Sequence, residues 1–198
     1  MKLFRDVTIS GATPTLRRGV RHIVHLVLSL ERAPCDTRLN LAFVSAAHMR
    51  QLNCRYKGVD RPTDVLTFSP ASETGGLVNH LLFSDTAAAG GDGGATQIMA
   101  ASSISPSVIR SELVDLGDIF LSLDYMQARC NRFPSTTLPL AAYVNAALVH
   151  ALLHALGHDH TSPNCLQQMA RREQRLGRQL AMIVRQHPQY LLPLDVVE

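Results

Sequence analysis

The stretch Leu138-Pro-Leu140-Ala-Ala-Tyr143-Val-Asn145-Ala-Ala-Leu148-Val-His150-Ala151-Leu-Leu-His154-Ala-Leu156-Gly157-His158-Asp159-His160 decides how this chain folds. From Leu138 to Leu156 it is almost continuously apolar and approaches the length of a membrane span. Asn145, His150 and His154 interrupt it, and each would be costly in lipid. A helix buried in a protein core, opening at Ser135, explains the run better. His150 and His154 are four residues apart, so on a helix their imidazoles share one face with Cβ atoms about 5–6 Å apart. That separation suits two nitrogens meeting one Zn²⁺ at roughly 2.0–2.1 Å each. Gly157 comes three residues after His154, where a helix commonly stops because glycine accepts the left-handed conformation. The chain can then turn back and bring His160 to the same ion. Three protein ligands leave the fourth tetrahedral position to water, as in catalytic rather than structural sites. His158 competes for the third place, but the six-residue step to His160 is the one a helix end plus a turn accommodates. The plainer alternative is a set of hydrogen-bonded core histidines.

The spacing also invites comparison with zinc proteases of the H-E-x-x-H-x-x-G-x-x-H type, whose glutamate is the general base. Ala151 stands at that glutamate position. Without a carboxylate there, a metal-bound water has no base on that helix, and peptide hydrolysis is disfavoured.

With 46% hydrophobic and 18% charged residues in 198, the composition excludes global disorder and suits one domain with a real core. A net charge of +3 is too small to indicate a nucleic-acid partner by itself. The basic residues are 17 Arg and 2 Lys; arginine suits bidentate phosphate contacts, although a GC-rich genome gives the same bias. Cys35, Cys54, Cys130 and Cys165 form no C-x-x-C pair and read as free thiols of a reducing compartment. No secretory signal is recognisable. The first 30 residues carry Lys2, Arg5, Arg17, Arg18 and Arg21 against Asp6 alone, a faint likeness to an organellar address that a strand and a helix of the fold explain better.

Lys2–Ser10, Arg38–Ser45, Asp64–Ser69 and Leu116–Leu123 read as strands, with Leu39, Leu41 and Phe43 alternating as on a half-buried sheet. Thr13-Pro14 opens a helix running to Glu31, with Val20, Ile23, Val24 and Val27 on one side. Ser45 caps a second helix through Met49, Leu52 and Cys54. Ser162-Pro163 opens a last, Arg-rich helix to His187. Between Thr86 and Pro106 the sequence is Ala, Gly and Ser with almost nothing to bury, and it predicts a flexible insertion within residues 70–115. The expected fold is α/β (α+β-like). It comprises one domain over residues 1–198 and a mixed sheet of about four strands on packed helices. The metal site lies at the end of the buried helix under the sheet.

A second constellation lies at Asn53-Cys-Arg55-Tyr56-Lys57-Gly58-Val-Asp60-Arg61-Pro62-Thr63-Asp64-Val65-Leu66-Thr-Phe68. It reads as a tight loop running into a buried strand, with Arg50, Arg55, Lys57 and Arg61 around it. Composition alone slightly prefers a solvated basic loop. Together with Leu116-Gly117-Asp118-Ile119, the histidine block, and Met169 and Glu173 of the last helix, it resembles the YbeY family of rRNA maturation factors. These blocks cover roughly half the chain, in order.

The resemblance implies a sheet-and-helix fold and one zinc ion held by His150, His154 and His160. It further implies a groove used on single-stranded RNA, and metal-dependent endoribonuclease activity in small-subunit rRNA 3′-end processing and ribosome assembly. The partners would be that rRNA and the pre-ribosomal small subunit with its proteins, and no membrane. Lys57 stands where the family usually has the arginine expected to contact RNA or act in catalysis. Lysine keeps the charge and loses the planar fork. Ala151 replaces the family's usual glycine, which favours the helix by about 0.8–1.0 kcal/mol. The distance from Ser69 to Leu116 is longer than usual and points to an organellar member in the mitochondrial matrix; a bacterial one would be cytoplasmic.

On this reading Lys57, helped by Arg50, Arg55 and Arg61, binds backbone phosphate and offsets transition-state charge. No general base stands out: Asp118 and Asp159 qualify only by their place in the motifs, and Asp159 is alternatively an acceptor that orients a ligand imidazole. The rival class is an assembly factor that binds RNA and ribosomal protein without cutting, and a protease-like hydrolase ranks below both.

Overall fold

Three strands with every second residue apolar line up in parallel, and a fourth runs against them. The computed structural model describes residues 4, 6–70, 114–133, 139–188 and 192. In chain order the elements are β1 (Asp6–Ser10), α1 (Pro14–Leu30), β2 (Thr37–Phe43), α2 (Ala46–Lys57), β3 (Val65–Phe68), β4 (Val114–Leu121), α3 (Leu123–Arg132), α4 (Leu140–Ala155) and α5 (Pro163–Gln186). The sheet order is β1-β2-β4-β3, with β1, β2 and β4 parallel and β3 antiparallel to β4.

Register puts Ile9 beside Leu41 and Leu41 beside Ile119. With Val7, Leu39 and Leu121 they form one buried sheet face. Thr8, Asn40 and Asp118 share the other face, joined by Thr8 Oγ1 donating to Asn40 Oδ1 (2.6 Å) and Asn40 Nδ2 donating to Asp118 Oδ1 (2.9 Å). The alternation therefore gives the sheet one face that packs on α1 and α4, while Phe68, opposite Asp118 in the register, meets Tyr56 of α2 at 4.8 Å between ring centroids on the other face. Gly117 (φ 79°) brings β4 so close to β3 that a Cβ there would sit 2.0 Å from the Phe68 carbonyl oxygen.

α4 lies under the sheet against β3, β4, α1, α3 and α5. Val144, Leu148, Ala151, Leu152 and Ala155 are buried along it, so neighbours surround it on most sides. α5 is two-sided: Met169, Leu176 and Leu180 face inward, and arginines occupy much of the rest. Its inward face also carries an ion pair, since Arg172 Nη1 donates to Glu31 Oε2 (2.8 Å) and Arg175 Nη2 bonds Glu31 Oε1. Glu31 caps the C-terminus of α1 and is 2% exposed.

The fold class expected from the sequence stands, a single compact α/β unit with a four-stranded mixed sheet and five helices. α3 was not anticipated. Leu123 had read as the end of a strand, but the chain turns into a helix after Ser122. Only Met126 of that helix is buried, so no apolar stripe announces it. α4 begins at Leu140 because Pro139 is extended (ψ 146°); the expected start at Ser135 lies outside the described residues. So do residues 71–113, which hold most of the expected insertion. Among the described residues, no helix is long and apolar enough to cross a membrane.

Candidate metal centre and its flanking cavities

α4 ends at Leu156, and Gly157 (φ 85°) takes the left-handed conformation that reverses the chain. That turn returns His160 to the two helical histidines. One nitrogen from each of His150, His154 and His160 lies within 4.8 Å of the others. His150 Nε2 and His154 Nε2 are 3.1 Å apart, close to the roughly 3.3 Å expected of two nitrogens at tetrahedral positions around zinc. Their opposite nitrogens are already occupied: His150 Nδ1 meets Glu173 Oε1 at 2.7 Å, and His154 Nδ1 meets the His158 carbonyl oxygen at 2.9 Å. Each Nδ1–H donates outward, so each Nε2 lone pair faces the cluster, an arrangement typical of metal ligands. The donor set fits one divalent ion.

Electrostatics favour a neutral His154 ring. Burial first, then the neighbouring His150 and His160, hold the His154 pKa below the ordinary imidazole value. His158 is placed differently. Its ring is outside the cluster, and burial, with Arg172 next in effect, pushes its pKa down to about 4.

A histidine kept neutral by folding, whose pKa is about 6.5 when unfolded, binds fewer protons in the native state across that interval. Its contribution to stability is therefore complete above pH 6.5 and is lost as pH falls toward 4. The melting temperature of metal-free protein is expected to decline steadily over that range, and the slope should flatten in His158→Gln. An unchanged slope in that variant would refute the assignment.

The two acids singled out from the sequence do not reach the histidines. Asp118 lies on the opposite sheet face, bonded to Asn40. Asp159 accepts from Thr161 N (3.3 Å) and Oγ1 (3.1 Å), a local turn that holds its pKa low. Glu173 orients the ligand imidazole that Asp159 was a candidate for. Ala151 is fully buried, so a protease-type glutamate at that position would point into the core.

The four loop cations separate into two groups. Lys57 and Arg61 share a cavity of about 520 Å³ with Asn53, Thr63, Tyr125 and Arg129. Arg129 was missed because it belongs to the unanticipated helix α3. Arg50 and Arg55 line another depression. There the Arg50 guanidinium is engaged in both directions by Asp60, at 2.6 and 2.7 Å, while Arg55 lies 5.6 Å over the Tyr56 ring. A further cavity of about 690 Å³ opens between α4 and α5, with His150 and Glu173 in its wall. At its far side Tyr143 Oη donates to Asp64 Oδ2 (3.0 Å). Burial, then the Asp64 carboxylate, raise the Tyr143 pKa and keep that hydroxyl protonated.

Fold and site together define a small α/β protein organised around three histidines that can hold one metal ion. A sequence model of the family described as Endoribonuclease YbeY matches residues 4–181. Proteins named Endoribonuclease YbeY from Desulfitobacterium hafniense and Pelotomaculum thermopropionicum are 28% and 31% identical. They cover 86% and 77% of this chain and 87% and 78% of their own lengths. The solution structure of a Thermotoga maritima protein shares the fold with a TM-score of 0.53 and 18% identity, over 92% of this chain and 94% of that one. The chain belongs to the YbeY endoribonuclease family.

Proposed function

We propose that the chain is a zinc-dependent endoribonuclease that cleaves single-stranded RNA, matures the 3′ end of small-subunit rRNA during ribosome assembly, and works in the mitochondrial matrix. The observation that carries the nuclease reading is the convergence of His150, His154 and His160, each helical ring already oriented by an outer partner. Three imidazoles suit zinc. Zinc, when bound, lowers the pKa of water toward about 7 and polarises a phosphoryl oxygen. The chain's residues do the remaining work. Glu173 and the His158 carbonyl hold the ring tautomers. Lys57 and Arg61, with Arg129, offer a cationic cavity to backbone phosphate. Arg55 adds surface charge nearby, and Arg50 adds less because Asp60 neutralises it. The organellar assignment is supported by the long stretch between Ser69 and Leu116.

Turnover of a single-stranded RNA by metal-loaded protein, with His154→Ala as control, tests the proposal. Binding without turnover would instead favour an assembly factor, the reading that lysine at position 57 supports. RNA binding is expected to weaken steeply with salt. Lys57→Ala should reduce affinity or turnover by roughly tenfold, since a charge-assisted contact is lost. Zinc content should not change. Lys57→Arg should match or exceed the parent, because the planar fork meets phosphate bidentately. No change in either variant would reduce the loop to a solvated turn.

A further inference from the structure

Helix α3 gives little to the core, since Met126 is its one buried residue. Its outward stripe is Tyr125, Arg129, Arg132 and the capping Phe133, spaced i, i+4, i+7 and i+8, so they share one helix face. Two depressions meet on that stripe. The cationic cavity of Lys57 and Arg61 is also lined by Tyr125 and Arg129. A neighbouring depression of about 550 Å³ has the same Tyr125 and Arg129 in its wall, continued by Arg132 and Phe133. Two shared wall residues make them one surface.

The chemistry of that surface changes along its length. Ion pairs among the described residues engage Arg50, His150, Arg172 and Arg175, so Lys57, Arg61, Arg129 and Arg132 have no carboxylate at ion-pair distance. Cations without counter-charges suit an anionic ligand. Arginines in the last turn of a helix also complement its dipole, which accounts for the charge of Arg129 and Arg132 but not for an aromatic ring beside them. Phe133 is 50% exposed, and the Arg132 guanidinium carbon lies 5.9 Å from its ring centroid. Aromatic rings and guanidinium planes are the two kinds of side chain on which unpaired nucleobases stack. An acidic peptide would satisfy the arginines and leave the ring unused.

We propose that this stripe makes α3 a nucleotide-binding element: a backbone phosphate sits among Lys57, Arg61 and Arg129, and the adjoining base lies unstacked from its neighbours on Phe133, beside Arg132. The inference rests on the reading of the chain as an enzyme of single-stranded RNA, and it names residues that select such a strand. In a duplex each base is paired and stacked between its neighbours, so no face is open to Phe133. An unpaired strand gains the contact and a duplex does not. Every base has a π-face, so the site tolerates all of them. Phe133 is thus a specificity-determining residue for strand state rather than for sequence.

The test is binding of a short oligouridylate to the full-length protein, stripped of metal so that the strand is not cut. Phe133→Ala should weaken binding about tenfold, the loss expected of one stacked base. Its melting temperature should hold, because the ring is already half in water. Phe133→Trp should restore the affinity. The slope of log affinity against log salt should stay as in the parent for Phe133→Ala. In Arg129→Ala it should become shallower by roughly 0.7, the share of one phosphate contact on a single strand. An abasic oligomer of the same length should bind the parent less well than oligouridylate, and the gap should narrow about tenfold in Phe133→Ala. Affinity for a duplex RNA should not respond to Phe133→Ala. In zinc-loaded protein the same variant should lower kcat/KM through KM, as expected of lost uniform binding. Unchanged oligouridylate affinity in Phe133→Ala, no restoration by Phe133→Trp, an undiminished salt slope in Arg129→Ala, or an equal loss on duplex RNA would each overturn the proposal. A marked fall in melting temperature in Phe133→Ala would also overturn it, because the ring would then serve packing. If RNA is bound through Phe133 but never cut, the nuclease reading fails and the α3 site stands. If RNA is cut and Phe133→Ala changes neither affinity nor KM, the α3 site fails and the nuclease reading stands.

Discussion

Zinc content is expected to fall to near zero in His154→Ala, and turnover of single-stranded RNA to fall with it by more than about 100-fold, beyond the loss an outer partner causes. The expectation follows from where each histidine nitrogen points. His154 presents Nε2 to the cluster 3.1 Å from His150 Nε2, and its other nitrogen is tied to the His158 carbonyl. Removing the ring deletes one of the three candidate ligands, and among the described residues no other group joins the cluster to replace it, since His158 lies outside it. Losing an outer partner is milder, roughly 10–100-fold in metal affinity. Glu173→Ala, which removes only the acceptor holding His150 Nδ1, should therefore bind zinc weakly and recover activity when zinc is raised. His154→Ala should not recover. Metal analysis of purified protein and an activity titration with zinc distinguish the two, and equal behaviour would mean that Glu173 does not orient the ligand. His160→Ala should lose the ion and His158→Ala should keep it; the opposite result would overturn the ligand set.

The second large effect concerns stability. Glu31 has a side chain only 1% exposed and is held by Arg172 and Arg175, which are 34% and 53% exposed. Removing both arginines strands a buried carboxylate, and breaking such a pair from one side costs about 3–5 kcal/mol. Removing the acid leaves two guanidinium groups that can still turn to water. The double variant Arg172→Ala/Arg175→Ala should therefore lose several times more unfolding free energy in urea than Glu31→Gln, a large fraction of the ~5–15 kcal/mol total of a typical domain. Equal losses would show that the ion pair is weaker than its burial implies. The same charges surround His158, so the loop leading to His160 is expected to loosen with the double variant.

The cluster of three histidines was legible because it depends on local geometry. Four-residue spacing on a helix, a glycine stop and a short return set the relative positions of His150, His154 and His160 with little help from the rest of the fold. The same holds for the alternating strands and for the capped helices, whose signals are periodicity and turn chemistry within a few residues. The basic loop was legible as a motif but not as a surface. Spacing along the chain could not tell that Arg50 turns to Asp60 while Lys57 and Arg61 face Arg129 from a helix more than sixty residues away.

Place in the motifs made Asp118 and Asp159 candidates for the general base and no more. Strand register sent Asp118 to the opposite face of the sheet, and a local turn took Asp159. Asn145 read only as a polar break in an apolar run, and the packing of α5 alongside places it in the wall of a groove. What the sequence by itself determined is the set of local conformations and the histidine triad they carry. Which acids, cations and apolar walls meet that triad was decided only by packing between distant segments, because side-chain partnerships across a core depend on register and helix docking, and neither is encoded within any one segment.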